Sequence, residues 1–324
     1  MSEQQDWEIP DDARPQVEDV AFDLDRTLSS VVNVRALVPE DVFTAPILGT
    51  DRYGNGVVIR ENGIVLTVGY LVTEAEQIWM TTTEGRVVPG SVLAYDHETG
   101  FGLIMAHAPL RTPVMPMGSV RDVRINDPMI VGAGGGRRHA LNVRVVSKRE
   151  FAGSWEYLLD EALFTAPAHP SWGGAGLIDR QGRLAAIGSL FVQQAREQTE
   201  LAGNMFVPID LLSPIYDNLV GGGHTRVAAR PWLGVYLAQS ERSVVVVGLA
   251  NGGPAQRADV RPGDQIIEVA GQPVDDLARA FRLIWAQGKA GAEIPLTLRR
   301  NGRMLQLFVR SAERNSILRR PRRH

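Results

Sequence analysis

The sequence predicts a mainly β protein, and three observations support this. The 324 residues combine 44% apolar with 22% charged residues, an ordinary globular balance for two or three compact domains. Glycine (33) and proline (19) are frequent while aromatic residues make up only 6%, a mixture that suits short strands joined by tight turns. Short apolar runs alternate with turn signals in two successive sets. Two such sets are typical of a double β-barrel, although spacing alone does not separate a barrel from a sandwich.

The first set of predicted strands runs from Thr27 to the mid-130s. Its apolar runs suit strands of about five to eight residues and lie at 29–38, 54–72, 76–96 and 100–109. The pairs Asn62-Gly63 and Glu84-Gly85 suit hairpin turns, because glycine readily adopts the positive φ that tight turns need. The second set has runs at 127–135, 140–151, 157–167, 174–192 and 203–209.

The rest of the chain predicts a closing helix, a joint and a smaller second domain. Within 208–219, Leu212, Ile215 and Leu219 have helical spacing, and three glycines follow. We expect the first domain to cover 25–222, a linker to cover 223–229, and the second domain to cover 230–313. A helix is predicted over Asp275–Gln287, because Leu277, Phe281 and Ile284 place apolar side chains on one of its faces.

Charge and cysteine content exclude several classes of function. The acidic residues 1–24 and the arginine-rich residues 314–324 are expected to be solvated, disordered tails. A net charge of -3 gives no broad reason to expect nucleic acid or an anionic membrane as a partner. The absence of cysteine excludes disulfides and thiol nucleophiles. The first residues lack the basic start and apolar core of a secretory signal, and no apolar run could span a bilayer, so a cytoplasmic location is expected.

Three blocks of the first domain resemble the signature of the HtrA (Deg) family of proteases. Residues 54–59 and 63–72 resemble the block of the catalytic histidine, with Tyr70 at the histidine position. Residues 96–104 resemble the block of the catalytic aspartate, with Gly100 at that position. Residues 171–184 resemble the nucleophile block, and ungapped alignment puts Gly173 at the serine. The resemblance covers about 25–312 and implies a chymotrypsin-like double β-barrel followed by a PDZ domain.

This pattern predicts a catalytically degenerate member of the family, a pseudoprotease. Acyl transfer by such a triad needs a hydroxyl, an imidazole to activate it, and a carboxylate to orient the imidazole. Gly173 has no hydroxyl, Gly100 has no carboxylate, and the phenol of Tyr70 is a poor base because an ordinary tyrosine has a pKa near 10. An alternative is that displaced residues take over, since Ser171 and His169 lie just before Gly173.

No cofactor and no metal are expected. Residues 132–137 are glycine-rich, but they lack the Gly-Lys-Ser/Thr ending of a phosphate-binding loop, and no helical pattern follows. Asp96, His97 and Glu98 are adjacent on one predicted turn, so their side chains point in different directions and are not expected to converge on an ion. A solvated turn is the simpler interpretation.

The second domain carries the pattern of a peptide-binding site. Residues 232–235 (Trp-Leu-Gly-Val) resemble the carboxylate-binding loop of HtrA PDZ domains, in which successive backbone N–H groups capture a terminal carboxylate. Residues 253–267 match a second PDZ block of the family, with Asp259 where glycine is usual. We expect peptide contacts from Trp232, Leu233, Gly234 and Val235, with Phe281 or Ile284 lining the pocket for the last peptide side chain. In the alternative interpretation these residues are only core.

The leading hypothesis is a non-catalytic HtrA homologue that acts as a scaffold, adaptor or chaperone-like factor in protein quality control. Its partners would be protein C-termini or unfolded segments, and the resemblance implies a homotrimer that assembles through the N-terminal segment. A second hypothesis is a structural subunit that docks through its tails. A third is an active serine endopeptidase that uses displaced residues.

Overall fold

The computed structural model describes residues 7–197, 200–222, 229–241 and 243–319. The chain divides into two compact units, and each is described separately. The first unit comprises Met1–Arg149, Glu161–His224 and Arg319–His324, and the second comprises Glu150–Asp160 and Thr225–Leu318. The second unit therefore takes a segment of eleven residues, 150–160, that the predicted boundaries assigned to the first domain.

The first β-barrel follows the first predicted set of strands. It closes in the order β1-β2-β3-β6-β5-β4, and its strands are β1 (Val31–Leu37), β2 (Asp51–Val58), β3 (Ile64–Val68), β4 (Gln77–Thr81), β5 (Val87–Tyr95) and β6 (Phe101–Ala106). Every residue of β3 is buried, so this strand forms the centre of the barrel wall. The turn before β3 has Gly63 at a φ of 86°, as the Asn-Gly pair predicted.

The second β-barrel follows the second predicted set. It closes in the order β10-β11-β12-β9-β8-β7, and its strands are β7 (Pro128–Gly132), β8 (Ala140–Gly153), β9 (Tyr157–Ala166), β10 (Gly176–Ile178), β11 (Leu184–Val192) and β12 (Gly203–Pro208). Val131, Leu177 and Phe206 are each 0% exposed in its core. Two closed barrels confirm the predicted double-barrel fold and exclude the sandwich.

Four short α-helices lie in the described part of the first unit. They are α1 (Leu24–Leu28), α2 (Ala45–Leu48), α3 (Gly69–Val72) and α4 (Ser213–Gly222). The helix predicted over 208–219 begins with a 3₁₀ turn, Ile209–Leu211, and then continues as α4. The joint predicted at 223–229 lies outside the described residues except for Ala229.

Both predicted tails are wrong over the parts that the structure describes. From Trp7 onward the acidic segment is folded: Ile9 is 4% exposed, and its N–H donates to the carbonyl of Arg138 at 2.9 Å. At the other end, Leu318 is 7% exposed, and Arg319 pairs with Asp41 at 2.9 Å. Apolar anchors among the charges outweigh the disordering effect of composition. Residues 1–6 and 320–324 lie outside the described residues.

Over its described residues, the second unit has one sheet of its own and two α-helices. Its elements are β13 (Val235–Ser240), β14 (Ser243–Leu249), α5 (Pro254–Arg257), β15 (Gln265–Val269), β16 (Gln272–Pro273), α6 (Leu277–Trp285), β17 (Glu293–Arg300) and β18 (Arg303–Arg310). The sheet order is β13-β14-β15-β17-β18, and β16 pairs with β15. Helix α6 lies within the predicted 275–287, and the Asp276 carboxylate caps it by accepting from the N–H of Arg279 at 2.7 Å. In the described part of the chain, no helix has both the length and the apolar character to cross a bilayer.

Candidate functional site

The structure brings Tyr70 and Gly173 into direct contact in the first unit. Tyr70 lies in α3, directly after the fully buried strand β3. A β-carbon added at Gly173 would lie 2.7 Å from the Tyr70 hydroxyl. That hydroxyl donates to the carbonyl of Ser189 at 2.9 Å, and burial raises the pKa of Tyr70 well above its ordinary value. The phenol therefore stays protonated and fills the space in which a side chain at position 173 would begin.

Gly100 lies next to the same helix. Its carbonyl accepts a hydrogen bond from the N–H of Gly69 at 2.7 Å, directly before Tyr70. Gly100 has a φ of 82°, in the left-handed region that glycine tolerates best. The three positions that the sequence resemblance predicts for the triad thus lie close to one another, and they carry a phenol and two glycines.

Asn55 holds the loop that contains Gly173. Its side-chain Nδ2 donates to the carbonyls of Ser171 at 3.0 Å and Gly173 at 3.1 Å, while its backbone N–H donates to Gly173 at 2.8 Å. Its Oδ1 accepts from the N–H of Gly134 at 2.9 Å, and the residue is 0% exposed. The glycine-rich stretch 132–137 thus has one of its amides engaged within the barrel instead of being aimed at a phosphate.

The displaced pair does not form a catalytic dyad. The backbone N–H of Ser171 donates to His169 Nδ1 at 3.0 Å, so that nitrogen is an acceptor and Nε2 carries the proton. Nε2 in turn donates to the carbonyl of His139 at 3.1 Å. Burial lowers the pKa of His169 to about 4, so the ring is neutral at pH 7. Both ring nitrogens are occupied by backbone groups, and neither contacts the Ser171 hydroxyl, which accepts from Asn55 Nδ2 at 3.1 Å.

The backbone N–H of Ser171 also bears on whether this site could bind an oxyanion. In proteases of this type, an oxyanion hole is built from the N–H of the nucleophile and the N–H two positions before it. Ser171 lies two positions before Gly173, and its N–H is directed to His169 instead. Under the predicted alignment of Gly173 with the nucleophile, one of the two oxyanion donors would thus be engaged within the protein.

The Asp96 side chain closes the turn that contains His97 and Glu98. Asp96 Oδ2 accepts from the backbone N–H and the hydroxyl of Thr99, both at 2.7 Å, which closes the turn. Among the residues that the structure describes, no group of three or more histidine, aspartate or glutamate side chains could hold an ion.

In the second unit, the predicted carboxylate-binding loop holds a carboxylate. Oε1 of Glu156 accepts from the N–H of Gly234 at 2.7 Å and of Val235 at 3.1 Å, and Oε2 accepts from Leu233 at 3.0 Å. Gly234 has a φ of 75°, which turns successive amides toward one point. We call these three amides the nest.

The Glu156 side chain is buried. The residue is 6% exposed, and its burial raises the pKa of the carboxyl, against the nest amides and the nearby Arg314, which lower it. A carboxylate accepting several backbone N–H bonds is the arrangement that compensates best for loss of hydration. The same nest therefore has the donors to bind a peptide's terminal carboxylate.

Three of the predicted contact residues take a different role. The N–H of Trp232 donates to the carbonyl of Ala312 at 3.0 Å, so this amide belongs to a β-bridge and not to the nest. Phe281 and Ile284 are 0% exposed and belong to the core cluster, against which Ala152 also packs, so neither side chain is open to solvent in this structure. The periodicity of α6 identified its buried face correctly but could not separate core from pocket.

Glu156 was not predicted from the sequence. Its bonds to the nest join residues 77 to 79 positions apart, between the ends of β8 and β9 and the start of β13. A single acidic residue in a turn carries no periodic signal. The pattern of residues 232–235 was the sequence feature that pointed to a bound carboxylate, without indicating which residue would supply it.

Comparison with known proteins identifies two domain families. Residues 54–187 match the trypsin-like peptidase domain, and residues 231–310 match the PDZ domain. HhoA of Synechocystis sp. is 26% identical over 287 residues, 80% of this chain and 70% of the relative. Serine endoprotease DegS of Haemophilus influenzae is 23% identical over 288 residues, 86% of this chain and 83% of the relative.

Solved structures share the fold. The HtrA-type protease AlgW with a decapeptide has a TM-score of 0.54 and 20% identity, covering 92% of this chain and 98% of that one. The serine endoprotease from Yersinia pestis has a TM-score of 0.53 and 21% identity, covering 91% and 99%. These likenesses cover more than nine tenths of this chain and show that its fold is shared with these structures.

Proposed function

We propose that this chain, which has the HtrA arrangement of a trypsin-like peptidase domain followed by a PDZ domain, is a pseudoprotease that works by binding. It would act as a scaffold, adaptor or chaperone-like factor that recognises protein C-termini or unfolded segments. The named relatives are serine endoproteases, so loss of catalysis would distinguish this chain from them.

The contact between Tyr70 and Gly173 carries the non-catalytic half of the proposal. Position 173 has no hydroxyl, and a side chain there would meet the Tyr70 hydroxyl at 2.7 Å. The protonated, buried phenol cannot act as a general base at neutral pH. The backbone contacts of His169 and Ser171 argue against a displaced dyad.

The nest supports the binding half. Three convergent amides in the second unit already hold a carboxylate, which is the group that a protein C-terminus would present. AlgW, which shares the fold, has been solved with a decapeptide and with a tripeptide. Binding of peptide termini is therefore the function that the second unit supports best.

A proteolysis assay tests the non-catalytic half. Purified chain is incubated with casein and, separately, with a fluorophosphonate probe that labels activated serines. We expect neither cleavage nor labelling, and the same result for Ser171→Ala. Trypsin serves as the active control. Cleavage by the natural chain that Ser171→Ala abolishes would identify an active endopeptidase with a displaced nucleophile and refute this half of the proposal.

Assembly and location complete the proposal. A homotrimer follows from the family resemblance, and the PDZ domains of a trimer would bind multivalent partners more tightly than one domain alone. The cytoplasmic location expected from the sequence stays a prediction, which cell fractionation would test.

A further inference from the structure

Glu156 belongs to a short segment that lies along β13. We define the hairpin tip as residues 153–156, between the end of β8 and the start of β9. The carbonyl of Ser154 accepts from the N–H of Leu237 at 2.8 Å. Leu237 lies in β13, two residues after the last amide of the nest. The tip therefore pairs with the strand that an added peptide strand would use.

The tip and the residues that flank it also contact other parts of the second unit. Arg282, on α6, forms ion pairs with Glu150 and with Asp160, the latter at 2.7 Å. Arg314 donates to the carbonyl of Trp155 at 3.3 Å. Strand β13, helix α6 and the nest thus all contact residues 150–160.

These contacts reproduce the main features of a bound peptide. A carboxylate lies on three backbone amides, and a carbonyl two residues earlier pairs with the adjoining strand. One difference from a peptide terminus is that this carboxylate belongs to a side chain. Glu156 has a φ of 56°, so the backbone turns back into β9 where a peptide would end.

We propose that the hairpin tip is the resident ligand of the PDZ groove, and that a partner's free C-terminus binds by displacing it. This inference rests on the proposed binding function, because the tip can compete for the groove only if the groove also binds an external peptide. A nest with three donors cannot hold two carboxylates, since their charges would repel and one would lack hydrogen bonds.

Competition lowers the apparent affinity for a partner by the fraction of molecules in which the tip is undocked. Removing the carboxylate of Glu156 should therefore strengthen peptide binding. Glu156→Gln keeps the shape of the side chain but removes its charge, so its single carbonyl oxygen is a weaker acceptor for the nest amides. Glu156→Gly removes the side chain and suits the positive φ, so the turn itself should persist. Glu293→Gln is the matched control, because Glu293 is exposed on β17, away from the nest.

The experiment uses the full chain and two pooled heptapeptide libraries, one with free C-terminal carboxylates and one with amidated ends. Peptides retained from the first pool are labelled, and their Kd values are measured by fluorescence anisotropy. Hydrogen exchange of the 233–237 amides is followed without peptide. We expect both Glu156 variants to bind about tenfold more tightly, or better, than the natural chain and Glu293→Gln, with faster exchange at 233–237. Amidated peptides should not bind.

Two other results would overturn the inference. Equal Kd values in all four proteins, or unchanged exchange in the Glu156 variants, would mean that the tip does not compete, while the proposed peptide binding would stand. If no protein retains any peptide although 233–237 exchange faster in both Glu156 variants, the groove is open and has no such ligand. The binding function and the inference would then both be wrong.

Discussion

At the scale of single residues, Tyr70 and Gly173 depend on each other for space. The phenol hydroxyl occupies a position 2.7 Å from where a β-carbon at 173 would lie, and it satisfies the carbonyl of Ser189. A tyrosine can be accommodated here because position 173 has no side chain. Introducing a serine at 173 alone would thus create a steric conflict with the Tyr70 hydroxyl.

A double-mutant cycle tests this dependence. Gly173→Ala should destabilise the chain by about 1–2 kcal/mol through overpacking. Tyr70→Phe should cost about 1 kcal/mol, because it leaves the Ser189 carbonyl without its donor. The double variant should be more stable than the sum of the two effects by about 1 kcal/mol, since phenylalanine lacks the conflicting hydroxyl. Urea unfolding of all four proteins measures these free energies, and strictly additive values would contradict the contact.

Individual residues were predicted unevenly from the sequence. The motif alignment named Tyr70, Gly100 and Gly173 from local patterns, and the structure places these positions together. Glu156 was missed, because its role depends on a bond to residues 77 to 79 positions away. Local patterns report the faces of strands and helices, whereas such distant pairs are fixed only by the fold.

At the scale of elements, an ion pair fixes the turn that leads into β15. Asp264 is 1% exposed, and both of its carboxylate oxygens accept from Arg300 at the end of β17, at 2.6 and 2.7 Å. Burial works to raise the pKa of Asp264, but Arg300 and the backbone N–H of Arg261 outweigh it and lower the pKa below its ordinary 3.8. Asp259, in place of the usual glycine, has a φ of 64° and also pairs with Arg300, at 3.1 Å.

Acid should weaken this element. A carboxyl whose pKa is lowered by folding contributes stability that is complete above its unfolded pKa and is lost as pH falls through the folded value. The second unit should therefore lose stability as pH falls below about 4. Asp264→Asn should cost about 3 kcal/mol at pH 7 and reduce this pH dependence. Urea unfolding at pH 7 and pH 3 tests this. Asp275→Asn, at an exposed acid before α6, is the control, and an equal effect from it would refute the assignment.

Elements were more predictable than their ends. The apolar runs predicted both barrels, and the periodicity of 277, 281 and 284 predicted α6, because these patterns repeat within a few residues. The acidic segment after Trp7 was wrongly predicted as disordered. The prediction rested on its many acidic residues, whereas a few apolar side chains are enough to anchor it. Ile9, at 4% exposure, is one such anchor.

At the scale of the whole molecule, each unit has its own buried core. Val131, Val145 and Leu163 belong to the core of the first unit, and Leu237, Phe281 and Ile294 belong to that of the second. The second core was predicted over 230–313, but the unit also includes 150–160, which the sequence order places among the barrel strands. Sequence order alone gave no reason to join these segments.

The number of chains in the assembly is a prediction that belongs to the whole molecule. We expect light scattering to give three times the chain mass of 35.4 kDa, because the HtrA resemblance implies a trimer formed through the N-terminal segment. That segment is already folded from Trp7 onward, so its association would order few additional residues and would need little conformational entropy. Among the described residues of this segment, Val17 is the large apolar side chain with the greatest exposure, at 44%.

A matched pair of variants separates this contact from general surface effects. Val17→Asp should convert the trimer to a monomer, because a trimer contact would bury the new carboxylate three times without a partner. Val87→Asp is the control, since Val87 is 59% exposed on β5 and lies outside the segment. Light scattering over a range of concentrations measures the mass, and circular dichroism checks the fold. A natural chain that is monomeric at every concentration would remove the trimer, and a trimeric Val17→Asp would place the contact elsewhere.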